Sequence, residues 1–281
     1  MRGFTQIQAV LSVVMILLMG IVWGLPIAPA IYVFDWITAY GPGDKSWPDL
    51  LLIGFSASIA FLTWGMFLLL LSGTLQFFIR LRFNKRIVAP LASMTTIRWA
   101  ICGQLHRSTQ PFLNHIVPSF FANAYYRLAG CKIGKNVNIN TSTINDPSLV
   151  ELGDNVVVGG GATINGHLVE KGNLVLERVV IGKNSTIGGA TMVGPGSRIG
   201  ENCILGSRAV LPKRKVIPDG EIWVGIPARP LSMLRRFDAQ DDETFGLTIA
   251  GLASFTAPTG VTGGLLTVSE TPTLVVDGFQ G

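Results

Sequence analysis

The sequence predicts a mainly β protein: a parallel β-helix (a solenoid of short strands) preceded by two transmembrane helices. Between Ile181 and Ile217 an apolar residue recurs at every sixth position, and a glycine follows each of the first five. A period of six fits neither the helical period of 3.6 nor the strand period of two. Near the start of the chain, residues 3–34 and 50–79 contain no charged side chain, and each segment is long enough to cross a bilayer.

The six-residue repeat predicts how the coils are built. A short repeat buries its apolar side only by stacking on its neighbours, and three hexads would close a triangular coil with the aliphatic residues at its axis. Successive coils would stack as parallel strands about 4.8 Å apart. The residue four places after each of the first five aliphatic positions is small, which suits a crowded corner. These residues are Ser185, Thr191, Ser197, Cys203 and Ala209.

Composition indicates a membrane protein with a cytoplasmic domain. Only 14% of the residues are charged, and the mean hydropathy is +0.46. Four cations, Arg80, Arg82, Lys85 and Arg86, follow the second apolar segment, so we expect this end on the cytoplasmic side of the inner membrane. A cleaved signal peptide is the alternative for the first segment. The net charge of +5 comes without a basic run interleaved with aromatics, so nucleic-acid binding is not indicated.

Four regions are expected. They are a transmembrane helical hairpin at 1–86, an interfacial helical connector at 87–131, the β-helix domain at 132–230 and a flexible C-terminal tail at 231–281.

The hexad register slips twice before the regular ladder begins. Leu152 lies thirteen residues after Ile139, and Ile181 lies seventeen residues after Ile164. Such breaks are where loops leave a coil, and loops often carry function. The second slip contains His167, the only histidine in the repeat region. An imidazole changes its protonation state near cellular pH and is therefore suited to general-base catalysis, although a solvated loop histidine is the simpler alternative.

The ladder and the closing segment 223–228, Trp-Val-Gly-Ile-Pro-Ala, resemble the hexapeptide-repeat acyltransferases, which include the serine, galactoside and maltose acetyltransferases. The resemblance implies a left-handed parallel β-helix and a homotrimer with active sites between subunits. It also implies acetyl-CoA or another acyl-thioester as donor substrate, with no permanently bound cofactor and no metal. The family's general base is a single histidine in an extruded loop, a position that His167 matches.

Several further residues are candidates for supporting roles. Asn165 could orient the acceptor or face a neighbouring subunit, and Glu170 could hold the imidazole tautomer or simply be solvated. Asp146 reads as a turn residue only. The resemblance places pantetheine along the later coils, where it implies contacts with Gly188, Ala190, Gly206 and Ser207. Three cations could bind the phosphates of coenzyme A, or could equally be ordinary surface charges. They are Lys213, Arg214 and Arg229.

A narrower resemblance extends over roughly residues 50–230. The segments 126–134, 146–150 and 167–172, together with the paired apolar helices, resemble the membrane-embedded C-terminal module of polylysine-synthetase-type peptide synthetases. That resemblance implies aminoacyl or peptidyl transfer from a carrier-protein thioester to an amine. The sequence therefore leaves three functions open: a membrane-tethered acyltransferase, with acetyl as the favoured group and a hydroxyl or amine as acceptor; a carrier-dependent transferase; and a non-enzymatic trimeric scaffold. The zinc carbonic anhydrases of the same fold need three histidine ligands, and only His167 lies in the coils.

Overall fold

The computed structural model describes residues 2–83 and 85–233, and two long apolar helices open it. Helix α1 (Arg2–Thr38) and helix α2 (Trp47–Ile79) pack against each other as a hairpin. A helix of 33 residues is about 50 Å long, which exceeds the roughly 30 Å of a bilayer core. By length and composition, the segments Leu11–Thr38 and Trp47–Ile79 could each cross a membrane. These helices coincide with the two uncharged segments of the sequence.

The connector after the hairpin contains a strand as well as helices. Strand β1 (Ile87–Pro90) is followed by α3 (Met94–Ile116) and α4 (Phe120–Ala129). The hydroxyls of Ser93 and Ser119 cap the two helices at their N-termini, and Gly130, at a φ of 112°, ends α4. The expectation of a mainly β protein is wrong for the described residues, because the four helices span 37, 33, 23 and 10 residues and the strands are short.

A buried polar cluster joins α2, α3 and α4. His106 Nδ1 lies 2.8 Å from the Tyr125 hydroxyl, which also accepts a hydrogen bond of 3.0 Å from Gln76 Nε2. Both His106 and Tyr125 are buried. Burial disfavours the charged form of each group, so it lowers the pKa of His106 to about 4 and raises the pKa of Tyr125 to about 12.

This cluster predicts that acid destabilises the helical region through His106. In the unfolded chain an imidazole binds its proton near pH 6.5, whereas folded His106 binds one only near pH 4. The unfolded state therefore holds more protons within this window, and stability falls by roughly 3 kcal/mol as the pH drops through it. We expect the Tm in detergent to fall between pH 7 and pH 4.5, and His106→Gln to flatten that fall. The exposed His115→Gln is the control; equal pH slopes in the two variants would contradict the assignment.

Between residues 132 and 233 the chain forms sixteen very short strands joined by turns. The first eight are β2 (Lys132–Ile133), β3 (Asn138–Ile139), β4 (Val150–Leu152), β5 (Val157–Val158), β6 (Thr163–Ile164), β7 (His167–Glu170), β8 (Asn173–Leu176) and β9 (Val179–Ile181). The next eight are β10 (Thr186–Ile187), β11 (Met192–Val193), β12 (Arg198–Ile199), β13 (Ile204–Leu205), β14 (Val210–Leu211), β15 (Val216–Ile217), β16 (Ile222–Val224) and β17 (Arg229–Pro230). A single 3₁₀ turn, Pro147–Leu149, precedes β4.

Most of these strands form three sheets with parallel pairing. Their orders are β3-β5-β10-β13-β16, with β17 added antiparallel; β6-β11-β14; and β2-β4-β9-β12-β15. From β9 onward, parallel partners lie eighteen residues apart, as in Thr186↔Ile204 and Arg198↔Val216. Eighteen residues are three hexads, so the chain returns to the same sheet after every third hexad. The aliphatic residues of the ladder are buried.

One corner of the stacked strands is marked by asparagines. Asn136, Asn155, Asn184 and Asn202 all adopt a left-handed φ of 54–58°. Their side-chain amides are linked in series by hydrogen bonds of 3.3, 2.9 and 3.0 Å. Asparagine tolerates this backbone region better than most residues with a side chain. The repeated asparagine therefore suits the left-handed backbone of the turn and also hydrogen-bonds the asparagines of the neighbouring layers.

The segment predicted to be an irregular loop is a β-hairpin. Strands β7 and β8 pair antiparallel and are joined by Lys171 and Gly172, whose φ angles of 50° and 73° are those of a tight hairpin turn. Strand β1 pairs antiparallel with β8, so the chain that follows the apolar helices forms the edge of this hairpin. The predicted flexible tail at 231–281 lies outside the described residues beyond position 233.

Candidate active site

His167 stands at the start of the hairpin and faces a buried carboxylate. Its Nδ1 atom lies 2.6 Å from Oδ2 of Asp146, whose side chain is only 5% exposed. The same oxygen accepts a hydrogen bond of 2.9 Å from the backbone N–H of Gly166. The other oxygen, Oδ1, accepts one of 2.8 Å from Trp99 Nε1. Asp146 is therefore held by donors on both of its oxygens and points one of them at the imidazole.

The two register slips bring these residues together. Ile144 forms an isolated parallel bridge with Ile164, so Asp146 stacks against Gly166 and lies beside the next residue, His167. Gly166 is needed at this point, because a Cβ built on it would lie 2.6 Å from Cβ of Leu149. The side chains meet because each one follows an irregularity in an otherwise regular stack.

The imidazole is arranged to accept a proton at its outer nitrogen. When Nδ1 donates its hydrogen to Asp146, the lone pair is left on Nε2. No described residue hydrogen-bonds Nε2, and the side chain is 27% exposed. The Trp99 ring lies 4.6 Å from the imidazole, centroid to centroid, and packs against it at a tilt of 57°. Orientation by a carboxylate with an accessible Nε2 is the geometry of a general base.

A second buried carboxylate fixes the base of the hairpin. Glu177, whose side chain is 7% exposed, accepts bonds of 2.8 Å from Nε of Arg214 and from Nε of Arg86. Its backbone N–H donates to the carbonyl of Gly166. Arg86 belongs to the chain just after the apolar helices and Arg214 to a later corner of the stack. Glu177 thereby ties both to the hairpin on which His167 stands.

The other residues predicted around His167 have different partners. Asn165 Oδ1 accepts a hydrogen bond of 2.6 Å from Asn145 Nδ2. Glu170 pairs with Lys213 at 2.8 Å, and this contact holds the pKa of its carboxyl below its usual range. Residues three apart in a strand point to opposite faces, so Glu170 does not contact His167. The carboxylate that contacts the imidazole is Asp146.

The residues predicted to contact the thioester donor lie at other places in the stack. Gly188, Ala190, Gly206 and Ser207 occupy successive layers of the corner that precedes β11 and β14. A Cβ on Gly188 would lie 2.4 Å from the backbone nitrogen of Ser207, so this position requires glycine. The hairpin that carries His167 leaves the stack at a different corner. This corner follows β6, and it stacks on the corner that follows β11.

The predicted phosphate-binding cations are partly engaged within the chain. Lys213 is bound by Glu170 and Arg214 by Glu177, while Arg229 is exposed on β17 with no carboxylate partner among the described residues. Within one chain, Lys213 and Arg214 therefore lie beside the hairpin of His167, whereas the predicted thioester contacts from Gly188 to Ser207 lie at a different corner.

Sequence reasoning missed the roles of Asp146 and Trp99. A signal for Asp146 is present, since it falls in the first register slip as His167 falls in the second. Trp99 carries no comparable signal, because it reaches the site from α3, sixty-eight residues before His167.

Comparison with known proteins adds a family match within the stacked strands. The model described as "Bacterial transferase hexapeptide (six repeats)" matches residues 178–213. No curated protein matches the sequence.

Several solved structures are similar over part of the chain. A maltose O-acetyltransferase from Clostridium difficile 630 is 19% identical over 50% of this chain and 89% of its own, with a TM-score of 0.40. A hexapeptide-repeat-containing acetyltransferase from Vibrio cholerae is 19% identical over 46% of this chain and 90% of its own, at 0.38. The acetyltransferase domain of PglB from Neisseria gonorrhoeae FA1090 is 28% identical over 37% and 43%, at 0.30.

All three TM-scores lie below 0.5, so these similarities do not indicate the activity of this protein. The family match, in contrast, covers the regular part of the ladder and implies a left-handed β-helix there. Residues 178–213 thus carry the bacterial transferase hexapeptide repeat.

Proposed function

We propose that the protein is a membrane-tethered acyltransferase that moves an acyl group from a coenzyme A or pantetheine thioester to a hydroxyl or amine. The observation that carries the proposal is the pairing of His167 with buried Asp146 at the base of a hairpin that leaves a hexapeptide-repeat stack. His167 is the general base, and Asp146 and Trp99 position it. Acetyl is the favoured acyl group.

The geometry supports a direct transfer. The acceptor attacks the thioester carbonyl and gives its proton to Nε2 of His167, and Asp146 stabilises the imidazolium that forms. The tetrahedral intermediate then collapses as the C–S bond breaks. The departing thiolate takes the proton back from Nε2, so the products are an ester or amide and a free thiol. The imidazole returns to its starting tautomer.

A homotrimer would complete the site. His167 and the predicted donor corner, Gly188 to Ser207, are apart within one chain, and a cyclic assembly can place the hairpin of one subunit against the corner of the next. The acyl donor would then lie between subunits, with its acyl carbon facing Nε2.

The apolar helices support insertion in the inner membrane as a multi-pass hairpin, with the stacked strands in the cytoplasm. Trp36, Tyr40 and Trp47 are exposed around the turn between the helices, as aromatic residues at a bilayer surface commonly are. Arg80 and Arg82 follow α2 at the opposite end, where the positive-inside rule places the cytoplasm.

Thiol release by the purified protein tests this function. The donors are acetyl-CoA, a longer acyl-CoA, and acyl and aminoacyl thioesters on a phosphopantetheinyl carrier protein; the acceptors are amines and hydroxyl compounds. We expect acceptor-dependent release from acetyl-CoA. Release from the carrier-bound thioesters alone would instead support the carrier-dependent transferase. No release from any pair, by protein that remains trimeric and folded, would overturn the enzyme proposal in favour of the membrane scaffold.

A further inference from the structure

A cleft lies between the end of α2, the first half of α3 and the turn that carries Asp146. We call it the Arg80 cleft; its walls include Arg80, Phe83, Trp99, Cys102, Asp146 and Leu176. Trp99 and Asp146 both contact His167, so the cleft adjoins the proposed base. Its other end is formed by the residues that directly follow the apolar helix α2.

Arg80 supplies an unused donor in this cleft. Its Nε atom is buried and has no hydrogen-bond partner. The guanidinium lies over the Phe77 ring, with 4.7 Å from Cζ to the centroid, and packs against Gly130, where an added Cβ would lie 2.3 Å from Nη1. A buried donor without an acceptor costs free energy. The side chain is therefore held in place by packing while its Nε–H makes no hydrogen bond.

Arginine side chains outnumber carboxylates around the cleft. Among the described residues, no carboxylate pairs with Arg80, Arg82 or Arg98. The carboxylate in the cleft wall, Asp146, is already engaged by three donors.

The cations nearer the strands each have a carboxylate partner. These pairs are Arg86 with Glu177, and Arg178 and Lys132 with Glu151. An unpaired guanidinium fixed by packing is a fitting partner for a phosphate group, which it can bind with two parallel hydrogen bonds.

Apolar side chains form a large part of the remaining cleft wall, beside the polar Gln76, Asn145 and Ser148. The apolar residues are Leu81, Phe83, Leu149 and Leu176, and the exposed side chains of α2 next to the cleft, such as Phe78, are apolar too. We propose that the Arg80 cleft binds the phosphate of a membrane-borne acceptor, whose apolar chain lies along α2 and whose hydroxyl or amine reaches His167. This inference rests on the proposed function for the reaction itself. Binding of the phosphate amphiphile can be measured without it.

Cys102 offers a direct readout of occupancy. It lines the cleft and is partly exposed, whereas Cys131 and Cys203 are buried. The rate at which N-ethylmaleimide modifies Cys102, followed by mass spectrometry in non-ionic detergent, is measured with dodecyl phosphate, dodecanol or inorganic phosphate. We expect dodecyl phosphate to slow modification at least fivefold, dodecanol to have no effect, and inorganic phosphate to act only at much higher concentration.

Two arginines that lie over the same ring provide matched variants. Arg80→Gln should abolish protection by dodecyl phosphate, whereas Arg82→Gln, which alters an exposed cation over Phe77 outside the cleft wall, should retain it. Arg80→Lys keeps the charge without the planar guanidinium and should give intermediate protection. This variant also tests the site if the glutamine variant fails to fold. Protection that survives in both Arg80 variants, or that dodecanol reproduces, would overturn the phosphate site.

Two further results keep the proposals separate. Equal protection by inorganic phosphate and dodecyl phosphate at the same concentration would overturn the membrane-borne source and leave a site for free phosphate. Protection should also persist in the His167→Ala protein, since that change removes the proposed base and not Arg80. If thiol release is never observed but this labelling pattern holds, the binding site stands and the acyltransferase proposal fails.

Discussion

Replacing His167 with alanine is expected to lower acceptor-dependent thiol release by roughly 10²–10⁴-fold, the usual contribution of a positioned general base. The change removes the only atom of the site, Nε2, that can take the acceptor's proton and return it to the leaving thiolate. The proposed donor contacts from Gly188 to Ser207 lie at another corner, so we expect the loss in kcat with KM for the thioester nearly unchanged. Initial rates with saturating acceptor measure it.

His115→Ala is the matched control for that experiment. His115 is an exposed histidine of α3, and its removal should leave thiol release within about twofold of wild type. The Tm of the His167→Ala protein should stay close to wild type, because the imidazole is partly exposed and its loss creates no large cavity. Equal thiol release by wild-type and His167→Ala protein would exclude His167 as the base and leave the histidine as a structural partner of Asp146.

The parts of the structure that could be predicted are those that a local pattern encodes. An uncharged run of thirty residues has few alternatives to a long helix, and the apolar residue at every sixth position agrees with the buried ladder. Each hexad specifies its own turn and its own inward residue, so no long-range information is needed. His167 is a candidate for a related reason, since a break in a strict period is visible in the sequence alone.

The partners of His167 could not be predicted with the same ease. Asp146 is twenty-one residues away, and which layer it enters depends on the size of both register slips. Glu170 is a candidate partner in the sequence because it is close to His167 along the chain, but strand geometry turns it toward Lys213. The sequence does not predict a hairpin at the second slip, because its edge strand, β1, comes from the connector that is predicted to be helical. These contacts are tertiary and override local preference.

Asp146→Asn is expected to reduce thiol release nearly as much as loss of the histidine, by roughly 10²–10⁴-fold. Asparagine keeps the shape, and its amide oxygen can still accept the hydrogen bond of Trp99. Its amide nitrogen then faces the N–H of Gly166 and Nδ1 of His167. A donor opposite Nδ1 favours the tautomer that carries its hydrogen on Nε2, and that nitrogen can no longer accept the proton of the substrate.

Glu170→Gln is the matched control, because it neutralises another carboxylate of the hairpin region, at a point that faces Lys213 and not the imidazole. It should cost less than about threefold, in keeping with an exposed ion pair. A comparable loss in both variants, with Tm preserved, would mean that the hairpin charges act through the local field and not through the tautomer. A large loss confined to Asp146→Asn would instead identify this buried carboxylate as the group that orients His167 as a base.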